Sequence, residues 1–388
     1  MFLYIGKFST WYMTDILSIS LIITAIIYLM MMLFLRIGLE KSIPARRNEK
    51  YEPTVSVIVA ARNEEQHIEK CMDSLTQLDY PSNKIEVIIV DDRSDDRTPD
   101  VIQSYTKQYP FIKMATTKPE TGNLRGKTNA IAEGINSTKS EILMFTDADC
   151  IVPRTWIRAT VQHFDESIGI IGGFTLLESH RIFEGVQALD WIFLFGIASA
   201  TAGWNIPITA IGNNLSVRRS AYEMVGGYNN IPFSVTEDYS LVQAILQQTN
   251  YKLRFPIDHQ TVVKSKACKS WSDLFRQKQR WGVGGLNMVP RGFIIMAIGW
   301  SFKISLIFGI VYSTPIIMIL VALSMAIAEF RFLWRPLRQF ERMKYSKYFI
   351  VFEIYFFLYS LIIPFVAFFS RKVVWKKRNF RNEINMKK

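Results

Sequence analysis

Residues 16–35, ILSISLIITAIIYLMMMLFL, carry no charge at any of twenty positions. About twenty helical residues cross the hydrocarbon core of a bilayer, and a helix satisfies its own backbone hydrogen bonds there. The run therefore reads as a membrane anchor. A cleaved signal peptide fits poorly, because the run is long, only Lys7 precedes it as a cation, and no small-x-small site follows. Arg36, Lys41, Arg46, Arg47 and Lys50 come directly after it. By the positive-inside rule the N-terminus then lies outside and the chain beyond residue 36 faces the cytoplasm.

Residues 292–329 are apolar again, interrupted by Lys303 and Pro315, and could form two tight spans or one long tilted one. Residues 348–369 form another apolar run with a single acid, Glu353. The segments 331–347 and 371–388 are both basic, yet one crossing cannot leave both on the same side. Either 348–369 is re-entrant around Pro364, or one basic segment lies on the other face. The reading carried forward is four spans and three regions. These are an anchor and basic linker over 1–50, a cytoplasmic domain over 51–291, and a membrane region of two or three spans with a basic tail over 292–388.

Charge placement supports this division. The net charge is +12, but residues 51–291 hold 25 basic and 27 acidic side chains. The positive charge flanks apolar runs instead of covering a folded surface, which excludes a nucleic-acid-binding domain. Cys71, Cys150 and Cys268 are the only cysteines. With no CxxC spacing they point to a reducing compartment, not to a zinc or disulfide scaffold. His67, His163, His180 and His259 show no metal spacing and read as structural or surface histidines.

The middle region alternates strands and helices. Val55–Ala61 and Ile85–Val90 are β-branched runs, and Glu141–Phe145 is a third strand, with a short strand at 112–116. Helical spacing over His67–Leu78, 98–108 and Gly126–Ile135 separates them. Such alternation predicts an α/β fold with a mainly parallel sheet covered on both faces. Ligands then bind beyond the carboxyl ends of the strands. Three polar groups fall there: Arg62-Asn63-Glu64, Asp91-Asp92 and Asp147-Ala148-Asp149.

Each group has a chemical and a plain reading. Asp147 and Asp149, two apart on an extended chain, point to one side and would need a cation such as Mg²⁺ or Mn²⁺ between them. Alone, such a pair is more often a solvated turn. One acid of Asp91-Asp92 can accept hydrogen bonds from a ribose or base, and the other reads as part of a turn into the helix at 98. Lys127 near a helix N-terminus suits a diphosphate, or is a surface lysine. Thr236-Glu237-Asp238 opens a helix, with Thr236 as its N-cap. Its acids either stabilise the helix dipole or supply a base that takes a proton from a hydroxyl. In Gln277-Lys278-Gln279-Arg280-Trp281 the arginine can neutralise phosphate. The tryptophan can stack on a sugar or sit at the membrane interface.

The joint pattern is more specific than any member. It resembles the family 2 glycosyltransferases of GT-A fold, in the membrane-bound branch with a D, D, D, QxxRW signature. That branch includes cellulose, hyaluronan and poly-N-acetylglucosamine synthases and ceramide glucosyltransferases. The resemblance covers about residues 50–290, and Gly212-Asn213-Asn214, SVRR and Gly226-Gly227-Tyr228 look like its acceptor-side segment. It implies a nucleotide-sugar-binding domain, a nucleotide-sugar donor, most often a UDP-sugar, and inversion at the anomeric carbon. Asp238 then becomes the base, and Arg280 and the metal on Asp147 and Asp149 neutralise the leaving diphosphate. Glu64, Asp92, Lys127, Asp147, Gln277 and Trp281 become substrate-binding residues. The expected acceptor is a lipid or a glycan at the membrane, and the expected location is the cell membrane. The span count favours a lipid-linked acceptor over a processive polysaccharide synthase. A divalent-metal hydrolase of phosphorylated lipids and a catalytically silent scaffold remain as readings from other classes.

Overall fold

A computed structural model of the chain describes residues 2–43, 48–370, 372–375 and 378–381. A long helix, α1 (Phe2–Lys41), leads into an alternating region. This runs β1 (Val55–Ala61), α2 (Ile68–Thr76), β2 (Ile85–Asp91), α3 (Thr98–Gln108), β3 (Ile112–Thr116), α4 (Lys127–Asn136) and β4 (Ile142–Asp147). There follow α5 (Trp156–Val161), β5 (Ile168–Gly172), β6 (Thr175–Leu177), α6 (Ile182–Gly203), β7 (Leu215–Arg218), α7 (Arg219–Met224), α8 (Gly227–Asn230), α9 (Glu237–Gln248), β8 (Lys252–Arg254) and β9 (Val263–Ser265). The chain then enters α10 (Trp271–Gly285), α11 (Pro290–Tyr312), α12 (Pro315–Gln339) and α13 (Phe349–Phe369). A hairpin, β10 (Lys372–Trp375) and β11 (Arg378–Arg381), follows.

Seven strands form one sheet in the order β3-β2-β1-β4-β7-β5-β8. The half made of β3, β2, β1 and β4 is parallel, as the alternation predicts, while β7 runs antiparallel to both β4 and β5. In register, Ala61 faces Asp91 and Ala60 faces Asp147, so the acidic strand ends meet at one edge.

The period-2 side-chain alternation divides the core. Val55, Val57 and Val59 of β1 enter a cluster with Met72, Ile89 and Trp156 on one face. Ile58 points to the other face, into a cluster with Leu143, Phe145 and Phe174 that continues without a break into Leu21, Met32 and Leu35 of α1 and Phe332 and Phe352 of the later helices. The sheet is therefore joined to the long apolar helices through one shared core.

Among the described residues, five helices are long and apolar enough to cross a membrane: Asp15–Lys41, Ile182–Gly203, Pro290–Tyr312, Pro315–Gln339 and Met343–Phe369. The region 292–329, open between one span and two, is two helices that break at Ser313-Thr314, where Pro315 starts α12. The unexpected member is α6. Most of its candidate window, 72%, is buried. It packs on β6, α1, α12 and α13, so it works as a core helix between sheet and bundle.

Small residues permit this packing. A Cβ added at Gly203 would lie 2.1 Å from the Gly38 carbonyl oxygen, and one at Gly38 would lie 2.3 Å from that of Ala200. Ser42 Oγ donates to the Gly38 carbonyl at 3.0 Å, and Trp204 Nε1 to the Phe34 carbonyl at 2.8 Å. Such close helix approach through small residues is the usual mode of packing in lipid. Gly203→Val should lower the thermal midpoint of the detergent-solubilised protein by an amount equivalent to about 1–3 kcal/mol of overpacking. Gly299→Ala, whose nearest contact would be Tyr28 at 4.0 Å, should leave it unchanged. Equal midpoints for the two variants would contradict the packing account.

Candidate active site

The loops after β1 and β2 hold each other. Asn63 has φ +52° and Arg93 φ +54°, and the Asn63 amide donates to Ser94 Oγ at 3.0 Å. The Asp95 amide donates back to Asn63 Oδ1 at 2.9 Å, and the Glu64 amide to Thr98 Oγ1 at 2.8 Å. These bonds fix half-buried Glu64 at the mouth of the sheet edge. The two acids of Asp91-Asp92 separate as expected. Asp91 accepts the Ser94 amide within its own turn. Asp92 is buried, 3.9 Å from the Arg62 guanidinium, and accepts from Thr117 Oγ1 at 3.1 Å.

Asp147 and Asp149 do converge, but by a different route from simple strand alternation. The strand β4 ends at Asp147, and a turn closed by the Cys150 amide on the Asp147 carbonyl at 3.0 Å swings Asp149 back. The ligand atoms of Asp147, Asp149 and Cys150 lie within 4.8 Å of one another. Burial, then the charges of Asp149 and Asp147, push the Cys150 thiol well above its ordinary range. It is thus a neutral thiol, and the donors suited to a hard cation are the two carboxylates. They fit Mg²⁺ or Mn²⁺, which typically complete their shell with water and substrate phosphate.

Lys127 is the centre of the site. Gly126, at φ +51°, turns the chain into α4 and places Lys127 in its first turn. The ammonium lies 2.7 Å from Asp147 Oδ1 and 3.0 Å from Glu237 Oε1. Burial lowers its pKa, but Asp147, Glu237 and Asp238 together outweigh that and raise it, so the cation is firmly protonated. A surface lysine is excluded.

Glu237 and Asp238 thereby acquire roles beyond helix capping. Thr236 occupies the N-cap position of α9, but its side chain accepts no capping bond; its hydroxyl meets Ser234 Oγ at 3.2 Å. Asp238 accepts the Tyr239 amide at 2.8 Å on Oδ1 and the Gly212 amide on Oδ2. A Cβ at Gly212 would come within 2.9 Å of the Asp238 Cβ, so glycine is required there. The neighbouring asparagines are structural. Asn213 Oδ1 accepts from Thr175, and Asn214 accepts from Trp156 while donating to the Phe174 and Thr261 carbonyls. Burial first, and then the charge of Glu237, push the Asp238 carboxyl up to about 6. That value suits a group that must accept a proton near neutral pH.

The QxxRW segment lies on α10. Gln277 carries a buried Oε1 with no hydrogen-bond partner. Arg280 is half-buried and has no ion-pair partner among the described residues. Trp281 packs against Trp191 of α6, ring centroids 5.5 Å apart, beneath the Lys278 ammonium at 4.4 Å. The placement of Trp281 is therefore inside the helix packing. Sequence reasoning assigned nothing to Lys278, which forms a buried ion pair with Asp190 of α6, or to α6 itself. Asp190, which with Glu184 is one of only two charged residues in the apolar 182–203 stretch, was the available signal. Of the histidines, His163 pairs with buried Asp258 at 2.8 Å, and no histidine joins a candidate metal group among the described residues.

The model for glycosyl transferase family 21 matches residues 17–387. The chain belongs to that family. The match extends the resemblance, which already took in ceramide glucosyltransferase-like enzymes, across the membrane segments. Among curated relatives, "Probable glycosyltransferase YdaM" of Bacillus subtilis is 29% identical over 64% of this chain and 60% of its own length. A β-monoglucosyldiacylglycerol synthase of Synechocystis is 30% identical over 66% of this chain and 53% of its own length. The chain thus spans just over half the length of these relatives. A mannosyltransferase from Pyrobaculum calidifontis, solved with GDP-mannose and Mn²⁺, shares the fold, with TM-score 0.58 and 20% identity over 88% of this chain.

Removing the central cation should expose the repulsion it holds in check. Lys127→Met leaves Asp147, Glu237 and Asp238 facing one another and should cost about 3–5 kcal/mol at pH 8. Burial and the charge of Glu237 already raise the Asp238 carboxyl, and losing the Lys127 charge that lowers it raises it further above its unfolded value. The folded variant then binds more protons than the unfolded chain, and stability returns as pH falls from 8 toward 5.5. Thermal unfolding at pH 8 and pH 5.5 checks this: the gap to wild type should narrow at the lower pH. An unchanged gap would contradict it.

Proposed function

We propose that this protein is an inverting, membrane-bound glycosyltransferase that moves a sugar from a nucleotide-sugar, a UDP-sugar by preference, to the hydroxyl of a lipid acceptor at the membrane surface. The observation that carries the reading is the Lys127 bridge. A single cation sits between the acidic end of β4 and the acid pair that opens α9. The first can face a metal-bound diphosphate, and the second can face an acceptor. Asp147 and Asp149 would hold Mg²⁺ or Mn²⁺, which supplies Lewis-acid neutralisation of the diphosphate.

The remaining steps belong to side chains of this chain. Glu64 and Asp92 grip the nucleotide at the strand ends. Lys127 and Arg280 neutralise the departing diphosphate as its bond to the anomeric carbon breaks, and the electron pair leaves with it. The acceptor oxygen forms the new bond from the opposite face while Asp238 takes its proton. One displacement inverts the centre and needs no carboxylate nucleophile, unlike a retaining glycosidase. Gln277, with its unpaired buried oxygen, can receive a hydroxyl of the incoming substrates. Trp281 shapes that side of the site from its place on α10, packed against Trp191 of α6.

A lipid acceptor has two supports. The acceptor-side loop borders the apolar helices: Val235 packs with Val283 and Ala367, and the Val289 amide donates to Tyr239 Oη at 3.0 Å. The Synechocystis relative is named for the synthesis of a glucosyl diacylglycerol. The five cations that follow the apolar run 16–35 support a cytoplasmic sheet domain, which would meet its donor there.

The test is incubation of purified protein with a panel of radiolabelled nucleotide-sugars and a membrane lipid extract. Label in a chloroform-soluble monoglycosyl lipid is the expected result. Label in a long water-soluble polymer, or phosphate release without sugar transfer, would overturn it. Within that assay Asp238→Asn should lose at least ~10²-fold in kcat while the donor dissociation constant stays nearly constant. Asp149→Ala should lose metal-dependent nucleotide binding as well. Glu237→Gln is not a neutral control, because Glu237 holds Lys127. The wild-type rate should fall as pH drops through about 6, where Asp238 takes up its proton. A fully active Asp238→Asn enzyme would move the base elsewhere.

A further inference from the structure

By length and composition, Met343–Phe369 could cross a bilayer. Its contacts do not run toward the far side. At the start, Tyr345 Oη donates to the Leu177 carbonyl of β6 at 3.2 Å. Tyr348 covers Gly185 of α6 so closely that a Cβ there would meet its ring at 2.2 Å. Further along, the Tyr355 ring lies 6.5 Å from Trp271, and the Tyr359 ring 4.8 Å from the Lys278 ammonium. A Cβ at Gly282 would meet Ile363 at 2.8 Å and Ala367 at 3.2 Å. At the end, Gln279 Nε2 donates to Ser370 Oγ at 3.1 Å, and Ala367 packs with Val235 and Val283. The contact levels 271, 278 and 282 on α10 meet 355, 359 and 363 on α13 in the same order, so α13 lies lengthwise along the QxxRW helix.

The crossing helices behave differently. Gly38 of α1 touches Ala200 of α6, while Leu21 packs on Gly309 of α11 and Ser18 Oγ meets Ser313 Oγ at 3.0 Å. These helices run from the sheet to a distal end where α11 turns into α12. Both ends of α13 are tied to the sheet domain.

The outer face of α13 is one apolar stripe: Ile350, Ile354, Leu358, Ile362, Phe365 and Phe369, exposed between 51% and 81%. Exposed Lys344 and Lys347 precede it, and Arg371, Lys372, Lys376 and Lys377 follow it in sequence. An apolar stripe with cations beyond both ends is complementary to acyl chains bordered by anionic headgroups. Lys303 secures the inner face, its Nζ 2.6 Å from Ser360 Oγ.

We propose that α13 lies in the plane of the membrane, in the leaflet facing the sheet domain. Acyl chains cover its apolar stripe, and anionic headgroups meet the cations at both ends. Only α1, α11 and α12 then cross. The basic segments 331–347 and 371–388 fall on the same side, which removes the charge conflict posed by a fourth crossing. The helix also brings the leaflet surface to Val235, three residues before Asp238.

The test uses full-length protein, with Cys268→Ser, in liposomes containing anionic lipid. A fluorophore is placed at Ile354→Cys, Leu358→Cys or Ile362→Cys and quenched by nitroxide lipids labelled at shallow or deep acyl positions. An in-plane helix gives the same depth at all three sites. A crossing helix gives depths that step by about 12 Å across those eight residues. That stepping would overturn the proposal, and so would absence of quenching at every site, which would mean that protein, such as a second copy, covers the stripe. Lys344→Cys and Asn379→Cys lie outside α13 and so test sidedness without disturbing it. An impermeant maleimide should reach both from one face of the vesicle, and labelling from opposite faces would refute the in-plane placement.

Discussion

The site depends on one cation. Asp147, Glu237 and Asp238 come from segments about 90 residues apart, and nothing in either segment alone draws them together. Lys127, at the start of α4, touches the first two and lowers the pKa of the third. Its side chain is only 20% exposed, so water screens the attraction weakly. The same charge would serve a diphosphate, whose arrival offers it a new partner and frees Asp147 for the metal. On the proposed function, the resting ion pair and the phosphate clamp are two uses of one group.

A second constraint is mechanical. One hydrophobic cluster extends from the sheet to α1, α12 and α13, with α6 as its central helix. The buried Lys278–Asp190 pair fastens α10 to α6. The Cβ positions of Gly282 and Gly284 meet Ile363 of α13 and Thr236 of the acid loop. The QxxRW helix is therefore clamped between the apolar helices and the loop that carries Asp238. The position of the site relative to the bilayer follows from packing and not from a flexible linker.

Much of this was legible in the sequence. β-branched runs ending in acids gave β1, β2 and β4 within a residue or two, because buried parallel strands leave few alternatives. The break at Ser313-Thr314-Pro315 was visible as a proline, though not as a decision between one helix and two. Three features were not legible, each for a physical reason. The approach of Asp149 to Asp147 depends on a turn, which side-chain alternation does not describe. Glu237 looked like a capping acid because its true partner lies 110 residues away. The helix α6 escaped notice because its apolar residues face a core and its buried acid, Asp190, is neutralised by a lysine in a distant motif.

The central claim is that Lys127 and the β4 acids receive the diphosphate while Asp238 faces the acceptor. The most direct measurement is an experimental structure of the full-length protein with a nucleotide-sugar and Mn²⁺. The account predicts diphosphate oxygens on Lys127, the cation on Asp147 and Asp149, and the sugar's anomeric carbon between the diphosphate and Asp238. A donor bound elsewhere, with the bridge from Lys127 to Asp147 and Glu237 undisturbed and Asp238 remote from the sugar, would contradict it.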